Sequence, residues 1–444
     1  MTPPALEQVA RWAQARPALT GRFGSDAPAW HDWHAGATGF LVQLATRDPA
    51  ALAARQAWRD QIRTAHGEFV RCHAGDLLAR TTADHPAGVV LDLEHQVPWL
   101  VATGRELDEE RRRSLPDKIG LEYKTAVVLA ELLRDPTAGP RWLRGARRPL
   151  PRSVARLAEF QRTDQLALDG ARIHRQGAAA VIEIASPRAL NAESDRVLDA
   201  LETCVDLALL DERIEACVLR GAPVTNRKYA GRRVFCSGIN LSELYEGQLS
   251  YLYYVRRELG LVNKIYYGLA GDDDRTDIEK PWIAAVDVHA IGGGFQLLLV
   301  MDYVIAEHGS TLSLPARKEG IIPGAANLRL PRLVGERAAR RAVLMDRVAS
   351  ADSAEARDFV DEVVAPAQMD RAIEGAVVSL ISSGLVSFAA NRKALRIAQE
   401  PPGVLLDYMS HFALAQADCH FSPALVNNLE HHWIRPRPDG MEAS

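Results

Sequence analysis

The stretch "HAIGGGFQLLLV", residues 289–300, decides the fold of this chain. The preceding "PWIAAVDVHA" is typical of a buried strand, and the apolar run after the glycines is typical of a helix. Three glycines between them allow a tight turn in which backbone approaches another group closely. The pattern is therefore strand, glycine-rich turn and helix, and the first polar side chain after the glycines is the uncharged amide of Gln296.

The glycines do not form a nucleotide-binding motif, because "GGGFQLL" matches neither GxGxxG nor GxxxxGK[ST]. A helix that begins at such a turn leaves its first amides without intrahelical acceptors, and its dipole adds positive potential there. A second turn, in "RRVFCSGINLSEL" at 232–244, presents the amide of Ile239 beside Gly238. We predict that the amides of Ile239 and Gly293 converge on one negative oxygen, as in an oxyanion hole. Glycine turns of this kind also occur for packing reasons alone.

The composition is that of an ordinary globular protein. The chain has 444 residues, of which 47% are apolar and 25% charged, and this length suggests two or three domains. Its 53 lysines and arginines against 57 aspartates and glutamates give a net charge of −4. Because nucleic-acid binders usually carry a basic face, this balance argues against a nucleic-acid partner.

Cysteine usage and hydropathy favour a soluble, cytoplasmic protein. The five cysteines are scattered without a CxxC pair, so we predict neither a disulfide framework nor a zinc site. His31 and His34 have no third ligand nearby, and we predict no metal. The most apolar window, 283–306, contains Asp287 and Asp302, each costing about 2.5–3.5 kcal/mol at a bilayer centre. We therefore expect no membrane span, and the first residues lack the pattern of a signal peptide.

The pattern along the chain predicts three regions. Residues 1–165 show helical spacing of apolar residues between proline-containing breaks, which predicts a helical N-terminal domain. From 166 to 365, strand-like segments alternate with helical ones, which predicts an α/β catalytic core. Residues 366–444 are helical again and end in a proline-rich tail.

Four segments in this order resemble the crotonase (enoyl-CoA hydratase/isomerase) superfamily. They are "SPRALNAESDRVLDALE", "VFCSGINLSEL", "WIAAVDVHAIGGGFQLLLVMDYVIA" and "LSLPARKEGIIPGAANLRLPRLVG". The resemblance covers about 166–365 and implies a ββα-spiral core, an acyl-CoA substrate, and an oxyanion hole made by the amides of Ile239 and Gly293. It also implies homotrimers or dimers of trimers, for which the helical C-terminal region would be the oligomerisation region.

Two positions depart from the hydratases of this superfamily. Hydratases have a Glu two residues after the last glycine of the triplet and a second Glu directly after the proline of an "LPE" segment. This chain has Gln296 and Ala316 at these positions. Because hydration needs carboxylates to activate water and deliver a proton, we predict that hydration is not the reaction. An enolate formed here would meet a site without acids, which suits reaction with O2.

Further features resemble a branch of the superfamily that oxygenates an arylacetyl-CoA thioester with O2 and without metal or flavin. They are the helical N-terminal extension, "LNAE" with Glu193, "SGINL", "RRELG" with Arg257, "GGGFQLLL" and "KEGIIPGAANLRL". This resemblance implies that Glu193 and Arg257 face the hydroxylated ring, and we place Gln296 near O2 as a hydrogen-bonding group. The alternative for Glu193 and Arg257 is a structural ion pair.

The remaining candidates would bind the CoA thioester. They are Arg188, Lys228, Tyr229, Ser237, Gly238, Asn240, Gly292 and Gly294. Lys228, Arg232 and Arg233 could contact CoA phosphates as simple charges, although a solvated surface role is the alternative. We expect no cofactor beyond the substrates acyl-CoA and O2. A thioester hydrolase or isomerase of the same fold, or an inactive scaffold, would also fit the motifs.

Overall fold

A seven-stranded sheet lies at the centre of the residues that the computed structural model describes, 4–41, 44, 47–273, 276–382 and 384–434. In spatial order its strands are β1 (Gln165–Leu168), β2 (Ala171–Gln176), β3 (Ala179–Ile184), β4 (Ala216–Gly221), β5 (Trp282–Val286), β7 (Tyr303–Glu307) and β10 (Glu362–Val364). The first three strands pair antiparallel, and the pairs from β3 to β10 are parallel. A smaller sheet contains β6 (His289–Ile291), β8 (Thr311–Ser313) and β9 (Val348–Ser350).

The central strands are buried on both faces, which explains their continuous apolar sequences. Every residue of β3, β4 and β5 is buried. In register, Val181 pairs with Val218 and faces α18 (Met369–Ile381), whereas the neighbouring pair Ile182 and Leu219 faces α10 (Asp195–Leu210). The sheet is therefore covered by one helix layer on each side.

Most elements predicted for the core are confirmed, with two corrections. The strands at "GAAAVIEIAS" and "IEACVLRGA" and the helix between them are present. The stretch "RRVFCSG" is not a regular strand, because it pairs only through isolated bridges of Arg233 to Pro223 and of Cys236 to Ala290. The stretch "PWIAAVDVHA" divides into β5 and β6, since Val288 between them has a positive φ of 63° and redirects the chain.

The N-terminal region is helical, as predicted, and shares a core with the rest of the chain. Its helices are α1 (Pro4–Gln14), α2 (Phe23–Ala35), α3 (Thr38–Leu41), α4 (Pro49–Leu78), α5 (Pro86–Gln96), α6 (Gly104–Arg111), α7 (Tyr123–Arg134), α8 (Ala138–Gly145) and α9 (Pro151–Thr163). Helix α7 packs between α4 and α20 (Pro402–His420) from the C-terminal region. One buried apolar cluster extends from Val9 in α1 to Leu429 near the other end.

Short helices surround the glycine turns, and longer ones follow in the C-terminal region. The former are α11 (Leu241–Tyr245), α12 (Leu252–Arg256), a π-helical turn (Arg257–Val262), α13 (Asn263–Tyr267), α14 (Gly293–Leu298), α15 (Ala316–Glu319), α16 (Ala326–Val334) and α17 (Glu336–Leu344). The latter are α18, α19 (Leu385–Gln399), α20 and α21 (Pro423–His432). Residues 435–444 of the predicted C-terminal region lie outside the described residues. In the described part, no single helix is long and apolar enough to cross a membrane; only the pair Pro366–Ile381 and Leu385–Gln399, bent by 89°, reaches that length and composition together.

A buried cation holds the helix that follows the π-helical turn against α10. The ammonium group of Lys264 in α13 lies 2.8 Å from carboxylate oxygens of both Glu202 and Asp206 in α10, and all three side chains are fully buried. The π-helical turn also approaches α10 closely at Gly260, where an added Cβ would lie 2.7 Å from Oε1 of Glu202. The turn that begins at Arg257 is thereby fixed to the core. Turns of π-helical geometry are frequent at functional sites.

Candidate active site

The residues predicted from the sequence to be catalytic line one cavity. Its wall includes all five candidate catalytic residues and one of the candidate binding glycines, namely Glu193, Ile239, Arg257, Gly292, Gly293 and Gln296. They arrive from separate elements: a loop before α10, the turn before α11, the π-helical turn, and the start of α14. The fold therefore brings the quoted motifs together at one place.

The two glycine turns meet at this cavity and present two backbone donors. Gly238 has a φ of 80° and Gly292 a φ of 54°, a left-handed region that favours glycine. A Cβ added to Gly238 would lie 3.2 Å from the backbone nitrogen of Gly293, so the turns are in contact. Within the described chain, neither the amide of Ile239 nor that of Gly293 donates a hydrogen bond to another residue. Both N–H groups are thus without an acceptor in the described chain and lie at the same cavity.

The second and third glycines of the triplet are required by close neighbours. A Cβ on Gly293 would lie 2.7 Å from Oε2 of Glu193 and 3.1 Å from Nη2 of Arg257. A Cβ on Gly294 would lie 2.7 Å from the Cβ and the carbonyl oxygen of Cys236. Since backbone and buried side chains leave no room, any larger residue would push the two turns apart.

The guanidinium of Arg257 uses all five of its N–H groups inside the protein. Nε and Nη2 donate to the two oxygens of Glu193, at 2.6 and 3.0 Å. Nη1 donates to Glu258 at 2.7 Å and to Oε1 of Gln296 at 2.9 Å. The second hydrogen of Nη2 reaches the carbonyl oxygen of Gly293 at 2.8 Å. Arg257 therefore anchors both the residue that carries one free amide and the amide side chain of Gln296.

The ion pair that the sequence analysis left as an alternative for Glu193 and Arg257 is present in the structure. Glu193 also accepts a hydrogen bond of 2.6 Å from the hydroxyl of Tyr253. Burial lowers the pKa of Arg257, but Glu193, Tyr253 and Glu258 together outweigh burial, so that pKa is raised well above its usual value. Burial and then Glu193 raise the pKa of Tyr253 well above its usual value. With every guanidinium donor engaged, Arg257 has none free for the ring of a substrate.

The orientation of Gln296 follows from its partner. A guanidinium has donors only, so the side-chain oxygen of Gln296 must face Arg257. Its NH2 group is then the part left to donate elsewhere, and no described residue accepts a hydrogen bond from it. The side chain is partly exposed in the cavity wall. A glutamine here offers donors to the cavity without a proton to give up.

The expectation of a site without acids is wrong, because three glutamates line the cavity. Glu193 and Glu258 both pair with Arg257, but Glu319, at the end of α15, has no hydrogen-bonding partner for its carboxyl group among the described residues. Burial, and then the charge of Asp346, raise the pKa of Glu319 to about 8. The signal was in "ARKEG": Glu319 stands three residues after Ala316, which places both on one face of a helical turn.

Of the predicted CoA-binding residues, Gly292 lines the cavity, and the others lie outside its wall. Arg188 and Lys228 are exposed, and the ammonium of Lys228 lies 4.8 Å from the centre of the Tyr229 ring. Asn240 caps α11 by accepting a hydrogen bond from the amide of Glu243.

Ser237 holds the turn before Gly238 by two hydrogen bonds, to the carbonyl oxygen of Leu190 and to Nε2 of His289 at 2.8 Å. Burial, and then Lys228, lower the pKa of His289 to about 4. The two arginines proposed from the sequence as contacts for CoA phosphates instead form ion pairs with glutamates. Arg232 binds Glu307 and Arg233 binds Glu183, so neither is a simple free charge.

The cavity is small in this structure. It encloses about 30 Å³, which suits one molecule of the size of water or O2. Benzene needs an apolar cavity of roughly 150 Å³. An acyl group with a ring therefore enters only when lining side chains move.

Comparisons with known proteins agree with the motifs. The enoyl-CoA hydratase/isomerase family model matches residues 174–404, more than half of the chain. The chain is 41% identical over 385 residues, 85% of its length and 88% of the relative's, to the (3,5-dihydroxyphenyl)acetyl-CoA 1,2-dioxygenase of Amycolatopsis orientalis. Over 136 residues it is 32% identical to the carnitinyl-CoA dehydratase of Salmonella typhi, covering 30% of this chain and 52% of that protein. The solved structure of carnitinyl-CoA hydratase from Mycobacterium avium is 24% identical with a TM-score of 0.49, covering 59% of this chain and 94% of that chain.

The chain belongs to the enoyl-CoA hydratase/isomerase family, the crotonases. The crotonase fold predicted from the motifs, with helical regions on either side, is confirmed. The class of protein is therefore an acyl-CoA enzyme of that family. The likeness to the Amycolatopsis dioxygenase extends well beyond the region of the family model, since it takes in 85% of the chain.

Replacing Glu319 tests the state of its carboxyl group. An unfolded glutamate ionises near its ordinary pKa of 4.5, and the folded one near 8. Between these pH values the folded protein retains a proton that the unfolded chain has released, so stability falls as pH rises. Glu319→Gln cannot ionise. We therefore expect the melting temperature of the variant minus that of the unmodified protein to rise by about 2 °C or more from pH 5 to pH 8. Calorimetry of both proteins, with the exposed Glu336→Gln as control, measures this; a difference independent of pH contradicts it.

Proposed function

We propose that this protein is a dioxygenase that converts 3,5-dihydroxyphenylacetyl-CoA and O2 to 3,5-dihydroxyphenylglyoxylate and CoA without metal or flavin. The observation that carries the proposal is the 41% identity to the Amycolatopsis dioxygenase over 85% of the chain. Two features of the cavity support it: the free amides of Ile239 and Gly293, and Gln296 where hydratases have a glutamate. The substrate is assigned from the relative's name and from the chemistry below.

The first requirement of this reaction is a stabilised enolate. A benzylic Cα–H next to a thioester is acidified by both the ring and the carbonyl. Two preorganised N–H groups on the thioester oxygen stabilise the negative charge that develops there, and losing one such donor typically costs about 3–4 kcal/mol. In this proposal the donors are the amides of Ile239 and Gly293, and Arg257 keeps the second in place through the carbonyl oxygen of Gly293.

The second requirement is a balanced reaction with O2. The enolate reduces O2, one oxygen atom bonds to Cα, and the distal peroxide oxygen attacks the thioester carbon and expels CoA as its thiolate. Cleavage of the O–O bond with loss of the remaining Cα–H leaves one oxygen atom in the keto group and one in the carboxylate. The two substrate hydrogens leave as protons, one of which returns on CoA. No further oxidant or reductant is needed.

Gln296 has a defined role in this scheme. Its oxygen is held by Arg257, so its NH2 group is the end that can donate to O2 or to the peroxide. An amide does not protonate the carbanion, whereas the glutamate of a hydratase would. Glu193 and Arg257 then act as positioning residues beneath the turn, in place of the contacts with the ring that the resemblance implied.

Glu319 favours one other candidate, a crotonase-type hydrolase or isomerase that moves protons without O2. A buried acid with a raised pKa is the group that such reactions use. The two functions differ in their consumption of O2, so one assay separates them.

Incubation of the purified protein with 3,5-dihydroxyphenylacetyl-CoA in air tests the proposal. We expect one O2 consumed for each CoA released, and with ¹⁸O2 both labelled atoms in the arylglyoxylate. Measuring metal and flavin content in the same preparation tests whether activity follows either of them. Release of CoA without uptake of O2 would identify a hydrolase and reject the dioxygenase.

Gln296→Glu tests the assignment of the amide. The new carboxylate would compete with Glu193 and Glu258 for Arg257 and would carry a proton to the carbanion. We expect O2 uptake in air to fall at least about tenfold, and more deuterium from D2O to return to Cα in unreacted substrate than with the unmodified protein. Gln248→Glu, at an exposed site outside the cavity, serves as the control. Oxygen uptake unchanged by Gln296→Glu would show that the amide has no special role.

A further inference from the structure

The proposed reaction begins with removal of a proton from Cα, and the cavity holds a limited set of groups that could take it. Within the described residues, the titratable side chains in its wall are Glu193, Glu258, Glu319, Tyr253 and Tyr254, beside the cation Arg257. Tyr254 is neutral at ordinary pH, because burial raises its pKa, and Tyr253 is neutral for the same reason. The choice therefore falls among the three glutamates.

Both oxygens of two of these glutamates already accept hydrogen bonds from the protein. Glu193 accepts two hydrogen bonds from Arg257 and one from Tyr253. Glu258 accepts one from Arg257 and one, at 3.1 Å, from the amide of Ala325. The lone pairs that make these hydrogen bonds are directed at protein donors and not at the cavity. Neither is suited to collect a proton from a substrate.

Glu319 differs from them in each respect. No described residue donates a hydrogen bond to its carboxyl group, and the side chain is buried with 5% of its surface exposed. A Cβ placed on Gly292 would lie 3.8 Å from Oε1 and 4.0 Å from Oε2 of Glu319. Gly292 precedes the free amide of Gly293, so the carboxyl group lies beside the point where the thioester oxygen would bind. The thioester Cα is two bonds from that oxygen.

On the basis of the function proposed above, we propose that Glu319 is the general base that removes the first Cα proton of the bound thioester. The proton moves to a carboxylate oxygen of Glu319, and the electron pair of the C–H bond enters the enolate whose oxygen is held by the amides of Ile239 and Gly293. When CoA later leaves as a thiolate, the carboxylic acid of Glu319 returns this proton to sulfur. The base is thus regenerated in each cycle.

The surroundings of Glu319 suit this task. A base works best when its pKa lies near the working pH, and burial together with Asp346 brings the pKa of Glu319 to about 8. Asp346 precedes β9, and Arg317 of α15 pairs with it at 2.6 Å. From α12 the neutral Tyr254 faces Glu319, and α21 places the uncharged Asn428 against the adjacent Gly320.

Exchange of Cα hydrogens in D2O under anaerobic conditions isolates this step from oxygen chemistry. We expect the unmodified protein to exchange the Cα hydrogens of 3,5-dihydroxyphenylacetyl-CoA, and Glu319→Gln to lower the exchange rate by about 100-fold or more. Glu319→Asp should retain part of the rate. The exposed Glu336→Gln is the control. Affinity for the amide analogue, with nitrogen in place of sulfur, should stay within about threefold in Glu319→Gln.

The dependence of exchange on pH provides the second readout. The rate should rise with an apparent pKa near 8, and Asp346→Asn should move this midpoint to lower pH, because removing a nearby negative charge favours ionisation of Glu319. If Glu319→Gln fails to bind the analogue, the midpoint of the pH dependence in Asp346→Asn tests the proposal. A lower midpoint supports Glu319 as the base, and an unchanged midpoint rejects it.

Failure of this inference is separable from failure of the proposed function. Exchange unchanged in Glu319→Gln, with oxygen uptake also unchanged, rejects the base and leaves the dioxygenase intact. Anaerobic exchange that depends on Glu319, without any uptake of O2 in air, keeps the base and rejects the dioxygenase.

Discussion

The buried guanidinium of Arg257 is the interaction on which the rest of the site depends. Its five donors bind Glu193, Glu258, Gln296 and the carbonyl oxygen of Gly293, and so join three segments of the cavity wall: the loop before α10, the π-helical turn and α14. A buried ion pair contributes little net stability, since desolvation offsets most of the attraction. Its geometric effect is larger: a planar fork with fixed donor directions admits one arrangement of its partners. The turn at Gly293 is held in the form that leaves its amide free.

This constraint divides the polar groups of the cavity into two kinds. Groups on the Arg257 side are saturated and fixed, and they present only the amide of Gly293 and the NH2 group of Gln296 to a ligand. Helix α15 contributes Glu319 beside Gly292, and this side chain has no hydrogen-bonding partner in the described chain and has a raised pKa. In the proposed reaction Glu319 would remove the proton from Cα, and the free backbone amides would stabilise the enolate.

The sequence predicted the parts of this site that depend on local geometry. Glycines at 238 and 292–294 mark turns that no other residue type fits, so their position could be read directly. The contacts of Glu193 and Arg257 could not be predicted from the sequence, because 64 residues separate the two. The choice between a contact with the substrate ring and an ion pair depends on distances in the folded chain. Glu319 is not evident from the sequence for another reason: hydratases have their acid at the position of Ala316, and the burial of Glu319 is a property of the fold. The shared core of α7 and α20 likewise depends on tertiary packing that periodicity does not reveal.

The carbonyl stretch of a bound thioester, measured by infrared difference spectroscopy with a ¹³C label and without O2, tests the central role of Arg257 most directly. Two donors on the oxygen weaken the C=O bond, so we predict a shift to lower wavenumber in the unmodified protein. Arg257→Lys keeps the charge but cannot hold Glu193 and Gly293 together, and we predict that most of the shift is lost, while the exposed Arg337→Lys preserves it. An equal shift in Arg257→Lys, or none in the unmodified protein, would contradict the account.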